Sequence, residues 1–241
     1  MKHIILVVKF LISMKNIILL FVLTVSFVTF GNEVIKKNLS DYSELVVQGR
    51  IAVVLEEGNQ YTAEIKTKSA DIDLDKLSFI SRGKQMIIKY GGLNVKEVDI
   101  TIVLQVPSLD LIESRQGARI SMASTMRIRS PKMSLSVFAG GVISGKIDVE
   151  SADVKVDQGG DIILVGTAKQ LICSVTTGGT IDGVNFIASN TVAKVRLGGS
   201  ISVFVKETLN ATVFSGGVIR YKGSGTVTEK ITLGGTIEKI N

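Results

Sequence analysis

The chain has 241 residues, with 28 Lys and Arg against 22 Asp and Glu, for a formal net charge of +6. It holds one histidine, one cysteine and no tryptophan. That inventory excludes an intramolecular disulfide framework, and the mixed charge excludes the strongly basic footprint of a nucleic-acid binder.

Residues 1–31 read as a secretory signal. Met14-Lys15-Asn16 opens a short positive region, and the 14 residues from Ile17 to Phe30 carry no charge. That run fits the apolar core of a signal and is short for a membrane span. Residues 1–13 form a second start upstream of Met14, which then becomes a candidate true start. The rival reading joins both apolar runs into an uncleaved anchor, but Lys9 and Lys15 interrupt it. No Cys follows the run, so a lipoprotein route is not expected. Cleavage would remove Lys2, Lys9, Lys15 and His3, leaving 25 − 22 = +3 over residues 32–241 and no membrane span.

The section from 34 to 106 reads as β-strands separated by turns. Leu45 to Val54 is rich in β-branched residues, and Glu57-Gly58-Asn59 separates it from the alternating stretch Tyr61 to Thr67 in a hairpin pattern. Leu77 to Ile80, the turn at Arg82-Gly83 and Met86 to Tyr90 repeat that pattern. Val98 to Val106 is a further strand, ended by Pro107, which cannot donate to a ladder. Asp71 to Lys76 offers one helical turn at most.

From residue 117 the chain repeats. Gly, then Gly or Ala, then any residue, then Ile recurs from Gly117, Gly140, Gly159, Gly178, Gly198, Gly216 and Gly234, at intervals of 23, 19, 19, 20, 18 and 18. Such periods mark a repeat architecture. Three residues after each first Gly stand Ile120, Ile143, Ile162, Ile181, Ile201, Ile219 and Ile237. Three before it stand Ser114, Val137, Val156, Val175, Val195, Val213 and Ile231, and five before it Ile112, Leu135, Val154, Cys173, Ala193, Ala211 and Glu229. Ser134, Ser136, Asp153, Lys155, Lys194 and Arg196 lie between them, so one side of each strand is apolar and the other polar.

This pattern predicts an all-β fold: a single-stranded, right-handed parallel β-helix of about 18–23 residues per coil, with a strand-rich N-terminal section. Residues 32–241 form one domain, in which 34–106 lead into regular coils over 107–241. The invariant first Gly is expected to need a positive φ or space free of a Cβ, and the second merely to be small. One buried Ile contributes about 1.5–3 kcal/mol, well short of the roughly 1–2 kcal/mol per residue needed to order a coil's backbone, so a lone repeat should not fold.

The segment Val98-Asp-Ile-Thr-Ile-Val-Leu-Gln-Val-Pro-Ser-Leu-Asp-Leu-Ile-Glu-Ser-Arg-Gln-Gly-Ala, followed by repeated Gly-Gly-x-Ile, resembles a bacterial family of unknown function called the putative auto-transporter adhesin, head GIN domain family. The resemblance covers about residues 40–241. It implies a β-helix behind a signal sequence and an envelope location. Most corners here read Gly-Gly-Thr, Gly-Gly-Ser or Gly-Gly-Val rather than the family's usual Ser-Gly-Ala-Ser.

Chemistry finds few candidates. Once His3 is removed, nucleophile–His pairs and His-ligated metals are unattainable. Cys173 aligns with Leu135 and Val154 as a core filler. Gly140-Gly141-Val-Ile-Ser-Gly145 lacks the Lys-Ser/Thr of a phosphate loop, and a calcium nonapeptide repeat is broken by the intervals. Asp148, Glu150, Asp153, Asp157 and Asp161, interleaved with Lys155, are the one acidic cluster, read as an outward charged face. Arg220-Tyr221-Lys222 reads as an edge feature rather than a ligand contact. No catalytic, cofactor or metal residue is assigned, no cofactor is expected, and the ligand is unknown.

The expected function is a non-enzymatic exported or envelope protein whose repetitive face binds a glycan, an envelope polymer or another surface protein. One alternative is a polysaccharide lyase or hydrolase using the cluster at 148–161. The other is a structural module that self-associates through its open C-terminal coil.

Overall fold

The computed structural model describes residues 34–67, 73–91, 99–124, 126, 128 and 130–241; the expected signal at 1–31 lies outside them. Glu33–Asn241 is one compact unit. Its strands are β1 (Val34–Asn38), β2 (Glu44–Gln48), β3 (Ala52–Glu57), β4 (Thr62–Thr67), β5 (Leu77–Arg82), β6 (Gln85–Tyr90), β7 (Ile100–Val106), β8 (Leu111–Arg115) and β9 (Arg119–Met122). They continue with β10 (Lys132–Phe138), β11 (Val142–Asp157), β12 (Asp161–Thr177), β13 (Thr180–Leu197), β14 (Ser200–Ser215), β15 (Gly217–Gly223), β16 (Thr226–Ile231) and β17 (Gly235–Lys239). The fold is an all-β solenoid, as the periodicity predicts. A 3-10 turn at Leu74–Lys76, where the Asp73 carboxylate accepts from the Asp75 N–H at 3.2 Å, falls within the expected turn at 71–76; residues 71 and 72 lie outside the described residues.

Each long strand serves two ladders. The start of β11 pairs with β9 through Ile143↔Ile120, and its end pairs with β10 through Val156↔Val137. The solenoid therefore has two faces, one lined by the Ile column and one by the Val column, with the glycine corner joining them. On the Ile face the register runs Ile35, Ile65, Ile102, Val53, Ile120, Ile143, Ile162, Ile181, Ile201, Ile219, Ile237. From Ile65 to Ile219 these side chains are buried in one continuous core. Like residues stack on like because each coil repeats the same inward positions.

The N-terminal section departs from the expected hairpins. Leu45 to Val54 is not one strand. Gly49, at φ +98 and with Tyr90 O where a Cβ would go, breaks it into β2 on the Val face and β3 on the Ile face. Nor do β3 and β4 form a hairpin: β7 lies between them, parallel to β3 and antiparallel to β4. The hairpin at Arg82-Gly83 does form, with β5 and β6 antiparallel and Arg82 opposite Gln85. The coil made by β2 and β3 is early in sequence, yet it sits between the β6–β7 coil and the β8–β9 coil. Antiparallel β1 and β4 on one face and β5 on the other close that end.

The first corner glycine does the job expected of it, and the second does more than expected. Gly178 has φ +66 but only open space where a Cβ would project, so backbone conformation alone selects glycine there. Gly179 has φ +94, and its Cβ would lie 2.5 Å from Val156 Cγ1 and 2.6 Å from Gly160 O. The second glycine is thus the sterically essential one, because consecutive corners touch. Ala118, the one departure at that position, has no positive φ.

The third inward column tapers from Met86, Leu45, Ile112 and Leu135 through Val154 and Cys173 to Ala193 and Ala211. In the 20-residue interval, β13 carries a bulge beside β14. There Phe186, opposite Gly166, is fully buried in the same core as these alanines.

Candidate functional site

The acidic cluster of the sequence is not a cluster in space. Asp148 accepts a 2.9 Å hydrogen bond from the Thr167 hydroxyl on the Ile face. Glu150 stands at the broad corner opposite the glycines, 2.8 Å from Lys169 Nζ, and that ammonium holds its carboxyl below the usual range. Asp153 points outward from the Val face and accepts from Lys155 Nζ at 2.9 Å. Asp157 and Asp161 flank the glycine corner, in register with Phe138 and Val142 respectively. Three of the five carboxylates are therefore already engaged by a neighbour in the same or the adjacent coil. Among the described residues, no group of three or more His, Cys, Asp or Glu side chains converges in a way that could hold a metal.

The other candidates are structural. Cys173 is fully buried, its Sγ 3.6 Å from Val192 O, and burial pushes its thiol up to about 12. A thiol held neutral in this way is no nucleophile. Arg220 donates from Nε to Glu238 Oε1 at 2.8 Å across one coil, and Tyr221 packs against the core. Both contacts lie within the solenoid itself.

What the geometry does present is surface. Each face displays outward columns one strand spacing apart, such as Glu113, Ser136, Lys155, Ser174, Lys194, Thr212 and Lys230 on the Val face. Sequence reasoning missed the exposed apolar residues beside the later glycine corners: Leu197 at 54%, Phe214 at 46% and Leu233 at 66% exposure. They are spaced 17 and 19 residues apart, so only the coil register makes them neighbours.

These features define an all-β solenoid with two strand-built outward faces. Residues 41–225 match the family described as "Putative auto-transporter adhesin, head GIN domain", and the chain belongs to that family. No curated protein matches the chain. Among solved structures, it is similar to a putative adhesin from Bacteroides fragilis NCTC 9343, with a TM-score of 0.75 and 17% identity over 88% of this chain and 98% of that one. A putative adhesin from Parabacteroides distasonis ATCC 8503 gives 0.70 and 19% over 87% and 97%. One from Parabacteroides merdae ATCC 43184 gives 0.68 and 17% over 88% and 98%. At these identities the structures share the fold.

Proposed function

We infer that this chain is an exported, non-enzymatic adhesin-like module whose solenoid presents flat, repetitive faces to a glycan, an envelope polymer or another surface protein. The observation that carries this reading is the pair of outward faces, built from strands stacked in register by the buried columns apart from the bulge in β13. Regular spacing suits a repetitive ligand, because many weak contacts can engage at once. Membership of an adhesin family and the charge-free run at 17–30 support export. The polysaccharide-processing alternative needed the residues at 148–161 to converge, and they are spread over two faces and two corners.

The test joins localisation to binding. Protease added to intact cells should remove the protein, and a panel of glycans and envelope polymers should include one that it retains. Full-length protein confined to the cytoplasmic fraction would overturn the reading.

A further inference from the structure

The last coils carry exposed apolar side chains next to cations. Leu197 pairs in register with Ser215, and the residue before Ser215 is Phe214, whose carbonyl accepts from the Leu233 N–H at 2.7 Å. Leu197, Phe214 and Leu233 therefore fall on successive strands beside the glycine corners, each about half exposed or more. Alongside them Arg196 precedes Leu197, while Lys194 and Lys230 flank Thr212 in one outward column of the Val face.

The charges differ from those of the earlier coils. There Arg115 is 2.6 Å from Glu113 and Lys155 is 2.9 Å from Asp153. Among the described residues, Lys194, Arg196 and Lys230 make no ion pair. Glu229 lies next in sequence to Lys230 but continues the inward column after Ala211, so it faces the other way.

We propose that this patch docks on an anionic lipid surface, with Leu197, Phe214 and Leu233 entering the interface and Lys194, Arg196 and Lys230 meeting the headgroup phosphates. The combination of apolar side chains with unpaired cations is what membrane-surface association requires, since neither term alone holds firmly. A water-soluble polyanion would satisfy the cations and leave the leucines and Phe214 in water. A second copy meeting the patch through two-fold symmetry would set its cations against their equals. This proposal does not depend on the adhesin reading.

The chain has no Trp, so Leu233→Trp in the full chain gives a fluorophore that reports this corner alone, whatever residues 1–31 do. Vesicles of phosphatidylcholine with phosphatidylglycerol should shift its emission to the blue and expose it to brominated lipid. Vesicles of phosphatidylcholine alone should not. Lys194→Gln, Arg196→Gln and Lys230→Gln, added to the reporter, should each weaken the response about fivefold, the effect of roughly 1 kcal/mol per cation. Phe214→Trp, placed on the same patch, should report the same behaviour. The proposal fails if neither reporter responds to phosphatidylglycerol, if the triple Gln variant responds undiminished, or if the shift follows protein concentration without vesicles.

Discussion

Ser114 Oγ donates a 2.7 Å hydrogen bond to the carbonyl oxygen of Ala118, both residues being fully buried. These two residues are the departures of one coil: Ser114 interrupts the Val column, and Ala118 replaces the second glycine. The hydroxyl is satisfied inside the coil that carries it. Ala118 O also accepts from the Val142 N–H at 2.8 Å, so it keeps a partner if the serine is lost. Ser114→Val should therefore fold with stability within about 1 kcal/mol of wild type, since an apolar side chain of similar shape replaces a donor without orphaning the acceptor. Urea melts of the two proteins would show it, and a loss of several kcal/mol would mean that the column cannot be made uniform.

The corner predicts an order of tolerance. Gly178→Asn keeps a residue type that visits positive φ and meets open space, so its cost should stay under about 1 kcal/mol. Gly178→Val forces a β-branched residue into that backbone and should cost more, about 1–3 kcal/mol. Gly179→Ala adds a methyl group against Val156 and Gly160 as well as backbone strain, and should be the worst of the three, at about 3 kcal/mol or more. Thermal or urea midpoints should rank in that sequence. A Gly179→Ala protein as stable as Gly178→Asn would refute the close-packed corner.

Phe186 is among the largest fully buried side chains. Phe186→Ala should cost about 3–5 kcal/mol by leaving a cavity in the core. The same substitution at exposed Phe214 should leave the urea midpoint nearly unchanged. Reversal of those two effects would reverse the assignment of core and surface.

Cys173 should resist a thiol reagent in the folded protein and react at once when unfolded. Its pH signature has a definite sign. Burial raises the folded value from 9.0 to about 12, so between those pH values the folded state retains a proton that the unfolded state releases. Stability is unaffected by this group below about pH 9 and falls as pH rises toward 12. Cys173→Ala should remove that part of the alkaline slope.

The inward columns of the final coil end in charges, Glu229 after Ala211 and Lys239 after Tyr221. Inward charges on edge strands hinder pairing with another chain. Wild-type protein should be monomeric by light scattering at this end, and Glu229→Val with Lys239→Leu should promote concentration-dependent association. A wild-type dimer that the double substitution leaves unchanged would place the self-association elsewhere.

The regular coils were legible in the sequence because each one restates its own constraints. The Ile of each copy needs burial and the first Gly needs a positive φ, and both are local facts that recur at a fixed spacing. The early section carried no such period. Nothing near Val53 or Ile102 announces that they belong to the same column as Ile120, and Gly49 turns its corner without a second glycine to mark it. The order in which coils stack there depends on β7 passing between β3 and β4, which is a choice among partners far apart in the chain. The acidic run from 148 to 161 behaves in the opposite way: residues close in sequence are spread over two faces and two corners once the chain has turned.

By itself, then, the sequence determined an all-β solenoid with an isoleucine column and glycine corners, since side-chain burial and backbone φ act residue by residue. Only the tertiary structure decided which glycine is sterically essential, that Phe186 sits in the core opposite Gly166, and that Leu197, Phe214 and Leu233 fall on adjacent strands near three cations with no ion pair among the described residues. Those are contacts between coils, and they exist only when the register brings residues about one or two periods apart to the same edge.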